Sequence, residues 1–172
     1  MKITAEILPG NHDTHQDWIL LLEMATREVF DKMLSCKLNL PETSPHEPLD
    51  ITAMVGMAGL LRGVLIVRCS RESGKLMASK MLGVGPDAVG PDLADALGEI
   101  ANMIAGNFKN KIPGLDDGCM LTVPTVIIGK DYDLQSLTVF DTLELQLLFE
   151  NQPLAVSLAI HSQVASQHRP RP

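Results

Sequence analysis

Aromatic side chains are scarce in this chain of 172 residues: they make up 3%, with one Trp and one Tyr. A core built on stacked rings is therefore excluded, and Leu, Ile, Val and Met must fill it. Basic runs are missing too. Lys+Arg number 14 against Asp+Glu 21, a formal charge of −7, and the only clustered cations are in the final "RPRP". That balance excludes a nucleic-acid surface and offers an anionic membrane nothing to attract. The three cysteines, Cys36, Cys69 and Cys119, are scattered with no CxxC pair. A disulfide framework is excluded, and reduced, buried thiols are expected. No apolar run is long enough to span a bilayer, which takes about 20 residues; "WILLLEMA" falls well short. "MKITAEILPG" lacks the apolar centre of a secretion signal, so a cytoplasmic protein is expected.

Several chemistries lack their residues. "GVGPD" does not end in the Gly-Lys-Ser/Thr of a phosphate loop, and no G-x-S-x-G elbow is present. "NHDTH" (His12, Asp13, His15) has no matching ligands elsewhere, so no metal site is expected. The pair Asp116 and Asp117 reads as a solvated turn.

What is present suits one domain, set at residues 1–162 with a disordered tail at 163–172. A short strand is expected in "MKITAEIL". Trp18, Leu21, Leu22, Ala25, Val29, Phe30 and Met33 recur at helical spacing and predict a first long helix that ends before Cys36–Leu40. "DITAMVGM" and "LLRGVLIVRCS" read as a hairpin. The glycines at 56, 59 and 63 imply a bulge or a close backbone approach there. "RESGKLMASKMLG" predicts a second helix. Four strands are expected in "CMLTVPTVIIG", "LQSLTVFDT", "LELQLLFEN" and "LAVSLAIHS", the first with Pro124 at an edge or bulge. The fold class is α+β, with long helices packed on a mostly antiparallel sheet.

Residues 91 to 113 predict the helix that matters most. Pro91 suits a first turn, and Asp92 and Asp95 complement the positive end of the helix dipole. Leu93, Leu97, Ile100, Ala101, Ile104 and Phe108 form a buried stripe. The opposite side carries Asp92, Asp95, Glu99, Asn102, Gly106 and Lys109. Glu99 and Asn102, three apart, point the same way. Gly106 lies one turn beyond and leaves a dent beside them, although a mid-helix glycine costs about 1 kcal/mol relative to alanine. Met103 borders this face.

"ALGEIANMIAGNFKNKI" followed by "LTVPTVIIGKDY" resembles the signature region of the CheC/CheX/FliY phosphatases of bacterial chemotaxis, in which a G-E-x-x-N-M-x-x-G helix precedes a strand containing P-T-V-x-x-G. The similarity runs over roughly residues 16 to 160 and is most specific over 96 to 131. The single E-x-x-N resembles the CheX branch. In the first helix Glu23 is followed by Thr26 and Glu28 by Asp31, so no second motif is expected. The resemblance implies hydrolysis of the aspartyl phosphate on a CheY-like response-regulator receiver. Asn102 would position the attacking water, and Glu99 would anchor the receiver's lysine. Gly98, Met103 and Gly106 would meet the partner. It also implies a homodimer, no cofactor bound by this chain, and Mg2+ on the receiver. The rival readings are a non-catalytic receiver-binding adaptor and a flagellar-switch type of structural subunit.

Overall fold

Residues 51–69 are two Val-, Ile-, Leu- and Met-rich runs broken by glycines, and the chain folds there as a hairpin whose strands bury alternate residues on one face. In the computed structural model, which describes residues 12–42, 48–130, 132, 134 and 140–161, β1 (Ile51–Gly59) and β2 (Gly63–Cys69) run antiparallel. Ile51, Ala53, Val55 and Met57 of β1 bury one face together with Leu65, Val67 and Cys69 of β2. The two glycines closing the hairpin allow main chains to touch. A Cβ on Gly59 would lie 2.3 Å from the Gly118 carbonyl oxygen, and one on Gly63 2.4 Å from that of Ala159. The close backbone approach expected from the glycines is what these positions show.

The long helix α1 spans His12–Leu34. It begins inside the "NHDTH" segment, and the side chains of His12, Asp13 and His15 lie outside the described residues. Trp18, Leu22, Ala25, Val29 and Phe30 are buried as expected, but Met33 is 47% exposed and Leu34 takes its place in the core. A straight 3.6-residue period drifts around the helix over six turns, so the last core position moves by one residue. Helix α2 (Arg71–Leu82) is capped at its start by the Ser70 hydroxyl, which accepts from the Ser73 amide at 3.1 Å, and ends on Gly83.

Helix α3 (Leu93–Asn110) is shorter than the expected 91–113. Gly90–Asp92 forms a separate 3₁₀ turn ahead of it. At its far end Pro113 disfavours helical geometry in the residue before it, and the chain turns through Gly114 into the single helical turn α4 (Leu115–Gly118).

Strands β3 (Cys119–Leu121) and β4 (Thr125–Ile128) both lie on β1. The single strand expected over 119–129 is therefore split in two at Pro124. The two strands expected over 134–142 and 143–151 correct the other way: β5 (Phe140–Phe149) runs through the Thr142–Leu143 junction without a turn and pairs with β6 (Gln152–His161). The strand order is β3-β1-β2-β6-β5, with β4 beside β3 on β1, and every pairing is antiparallel. Helix α3 packs on β1, α1 and α2. The α+β class, helices on an antiparallel sheet, is thus what forms. The expected N-terminal strand and the tail at 163–172 lie outside the described residues.

The core is aliphatic with two aromatic contacts, Trp18 with Phe108 and Phe30 with Phe149, both edge-to-face at 5.9 and 5.5 Å. All three cysteines are buried free thiols. Burial pushes the Cys69 thiol up to about 12, so it stays protonated and unreactive.

Candidate functional site

Helix α3 divides its residues as its periodicity requires. Leu93, Ala96, Leu97, Ile100, Ala101, Ile104, Ala105 and Phe108 are buried, so its outward face is held against the core by a continuous apolar stripe. On that face Asp92, Asp95 and Glu99 are exposed, while Asn102 and Gly106 are half-buried. The Glu99 carboxylate and Asn102 carboxamide therefore sit one turn apart on the same accessible ridge.

Several polar residues of α1 and the later part of α3 are occupied. Asn107 donates to the Glu28 carboxylate at 3.0 Å, and Lys111 donates to the same carboxylate at 2.8 Å. Lys109 donates to the Asp116 and Cys119 carbonyls at 2.5 and 2.9 Å. Arg27 pairs with Glu23 at 2.7 Å. Among the described residues no hydrogen bond or ion pair engages the side chain of Glu99 or of Asn102. Glu99 and Asn102, like Asp92 and Asp95 on the same face, have no internal side-chain partner among the described residues and are available to something outside the chain.

Both glutamates of α1 are used inside the molecule, Glu23 on Arg27 and Glu28 on Lys111, which agrees with the absence of a second E-x-x-N there. The Lys111 hydrogen bond, and then that of Asn107, hold the Glu28 carboxyl below its ordinary 4.5. A depressed carboxylate stabilises the fold above its unfolded value and loses that contribution as pH falls below 4.5 through the folded value. The group is more than a third exposed, so Lys111→Met should remove less than about 1 kcal/mol at neutral pH. Denaturant titrations of both proteins should converge on acidification; a gap that persists at low pH would rule out this ion pair as its cause.

The glycines of the motif do different things. Gly98 is buried, and a Cβ there would lie 3.1 Å from the Pro124 Cβ and 3.5 Å from Val126 Cγ2. Its bare backbone thus seats the strand-side segment directly on the helix, one residue before Glu99. Gly106 is looser: a Cβ would meet only Leu121 Cδ1, at 3.9 Å. Met103 is half-buried and packs against the core. Between α3 and the β3–β4 segment runs an open groove of about 440 Å³, its walls including Asp95, Glu99, Val123 and Pro124. Sequence reasoning marked Pro124 as irregular but missed Val123, 87% exposed across that groove. The available signal was the combination of Pro124, Gly98 and Gly56, which meets only in three dimensions.

Among the described residues no three His, Cys, Asp or Glu side chains gather into a metal site, and no helix of these residues is long and apolar enough to cross a membrane.

An antiparallel sheet under a helical layer, with one free Glu–Asn pair on its outward helix, defines a class of protein, and comparison with known ones gives it a family. Residues 51–145 match the family of the chemotaxis phosphatase CheX. The chain is 30% identical over 129 residues to the CheY-P phosphatase CheX of Thermotoga maritima, covering 73% of this chain and 83% of that one. In structure it is similar to CheX in the CheX–CheY–BeF3–Mg2+ complex from Borrelia burgdorferi, at 23% identity and a TM-score of 0.69 over 85% of this chain and 99% of that one. It is also similar to the chemotaxis protein CheX from Vibrio vulnificus, at 18% identity and a TM-score of 0.72 over 86% and 98%. The chain belongs to the CheX family of chemotaxis phosphatases, and the expectation of a phosphatase is met at the level of that family.

Proposed function

We propose that this chain hydrolyses the aspartyl phosphate of a CheY-like receiver domain, with Asn102 positioning the attacking water and Glu99 pairing with a receiver lysine. The observation that carries this reading is the Glu99–Asn102 ridge, accessible and without partners among the described residues. The 30% identical relative, a CheY-P phosphatase, supports the substrate class.

An acyl phosphate is already activated, so the enzyme's task is placement. Water oxygen attacks phosphorus in line, the bond from phosphorus to the aspartyl oxygen breaks, and the aspartate leaves as carboxylate. The products are inorganic phosphate and a proton released to solvent. A carboxamide accepts a hydrogen bond from the water and donates one to a phosphoryl oxygen, and is itself a poor nucleophile. Mg2+ held by the receiver would stabilise charge on the phosphoryl oxygens. Glu99 contributes docking: its ion pair with a lysine strengthens as the interface closes and water leaves.

A homodimer accompanies this reading. Its support is the outer edge of β5, met among the described residues only by the Asn39–Leu148 bridge; the molar mass in solution tests it. A receiver substrate also implies a cytoplasmic location.

The testing experiment follows the decay of a phosphorylated receiver from the same organism with and without this protein. Catalytic amounts should shorten the receiver's phosphorylated lifetime with release of phosphate. Stoichiometric binding of the receiver with unchanged decay would replace the reading with that of an adaptor, and capture of flagellar-switch proteins without any receiver would favour a structural subunit.

A further inference from the structure

The segment between β3 and β4 is built as a ledge beside Glu99. In β3 the register pairs Met57 with Leu121, and in β4 it pairs Met54 with Thr125. Between those pairs β1 supplies two residues, Val55 and Gly56, while the opposing chain supplies three, Thr122, Val123 and Pro124. One extra residue on one strand is a β-bulge, a device that re-aims a side chain.

The bulge is held by specific bonds. The Thr122 amide donates to the Gly56 carbonyl at 2.9 Å. In return the Gly56 amide donates to the Thr122 hydroxyl, also at 2.9 Å, rather than to a strand carbonyl. The same hydroxyl donates to the Val123 carbonyl at 3.2 Å. One side chain thus replaces a rung of the ladder and grips the next residue. Gly56 is needed for this, because a Cβ there would lie 2.9 Å from Thr122 Cγ2. Pro124 has no amide to leave unpaired, and its ring rests on Gly98. The result is a β-branched apolar side chain, Val123, 87% exposed and lining the same groove as Glu99.

We propose that this bulge is the second half of the receiver-docking surface: Val123 packs against an apolar patch beside the receiver's lysine, and Thr122 with Gly56 positions it relative to Glu99. This rests on the receiver-phosphatase reading and adds to it a docking contact and two positioning residues. The occupant is the receiver because ledge and carboxylate wall one groove, so a body that seats a cation on Glu99 also covers Val123. An interface pairing a central apolar contact with a charged neighbour has the usual anatomy of a specific docking site.

The test compares wild type, Val123→Asp, Thr122→Val and Thr122→Ser for hydrolysis of the phosphorylated receiver and for binding of its beryllofluoride-loaded form. Val123→Asp should raise KM and Kd by about tenfold or more with kcat little changed. Thr122→Val keeps the shape but removes the hydroxyl, and should raise KM in the same direction. Thr122→Ser keeps the hydroxyl and should restore it, which a merely structural role would not require. Thermal unfolding of each variant confirms that it is folded. If wild type hydrolyses and Val123→Asp leaves KM and Kd unchanged, the ledge is not a docking contact while the phosphatase reading stands. If wild type binds without hydrolysis and Val123→Asp weakens binding, the ledge stands and turnover falls. Absence of binding by wild type overturns both.

Discussion

Asn102→Ala should slow receiver dephosphorylation by about 100-fold, the scale on which a misplaced reactant loses its advantage, with docking retained. The proposed reaction asks for one ordered water and nothing covalent from this chain, so the whole effect should appear in kcat. Asn102 is half-buried and, among the described residues, its side chain makes no hydrogen bond, so its truncation strands no buried partner and the fold should be unperturbed. Glu99→Lys should behave oppositely: a like charge facing the receiver's lysine should weaken binding while any bound receiver turns over normally. Steady-state kinetics with a phosphorylated receiver separates the two. Unchanged turnover in Asn102→Ala would end its assignment. A kcat defect in Glu99→Lys without a binding defect would move Glu99 from anchor to catalyst.

Phe108→Ala should be among the most damaging single changes to stability that leave the site residues in place. Phe108 is fully buried near the end of α3 and meets the Trp18 ring of α1 edge-to-face at 5.9 Å. Truncating it removes the burial and opens a cavity at the α1–α3 seam, a loss of about 3–5 kcal/mol. For a chain of this size that corresponds to a fall of roughly 10 °C in the unfolding midpoint. Because α3 carries Glu99 and Asn102, activity should be kept at low temperature and lost early on warming. A midpoint within a few degrees of wild type would mean that the seam repacks and that α3 is held mainly by the sheet.

The fold was legible where periodicity was long. The stripe of α3 and the hairpin of β1 and β2 announce themselves because each buries one face, and burial selects residues at a fixed spacing. Legibility failed at ends and joints. Met33 exchanged places with Leu34 because a small angular drift accumulates along α1. The Thr142–Leu143 junction carries polar residues that look like a turn, yet β5 continues because pairing with β6 supplies its hydrogen bonds on both sides of that point. Thr125, four residues past Leu121, resumes pairing with β1 one register step late, and nothing local requires that offset.

The sequence by itself determined the helical ridge on which Glu99 and Asn102 stand together, since the i, i+3 relation depends only on helix geometry. It also determined the aliphatic core and the family, through a motif contiguous enough to be read along the chain. Only the tertiary structure decided what faces that ridge. Gly98 beneath Pro124, the Thr122 hydroxyl on the Gly56 amide, and Val123 across the groove join residues from three separate segments. Contacts between distant segments depend on how the sheet and helix pack, and no local spacing encodes them.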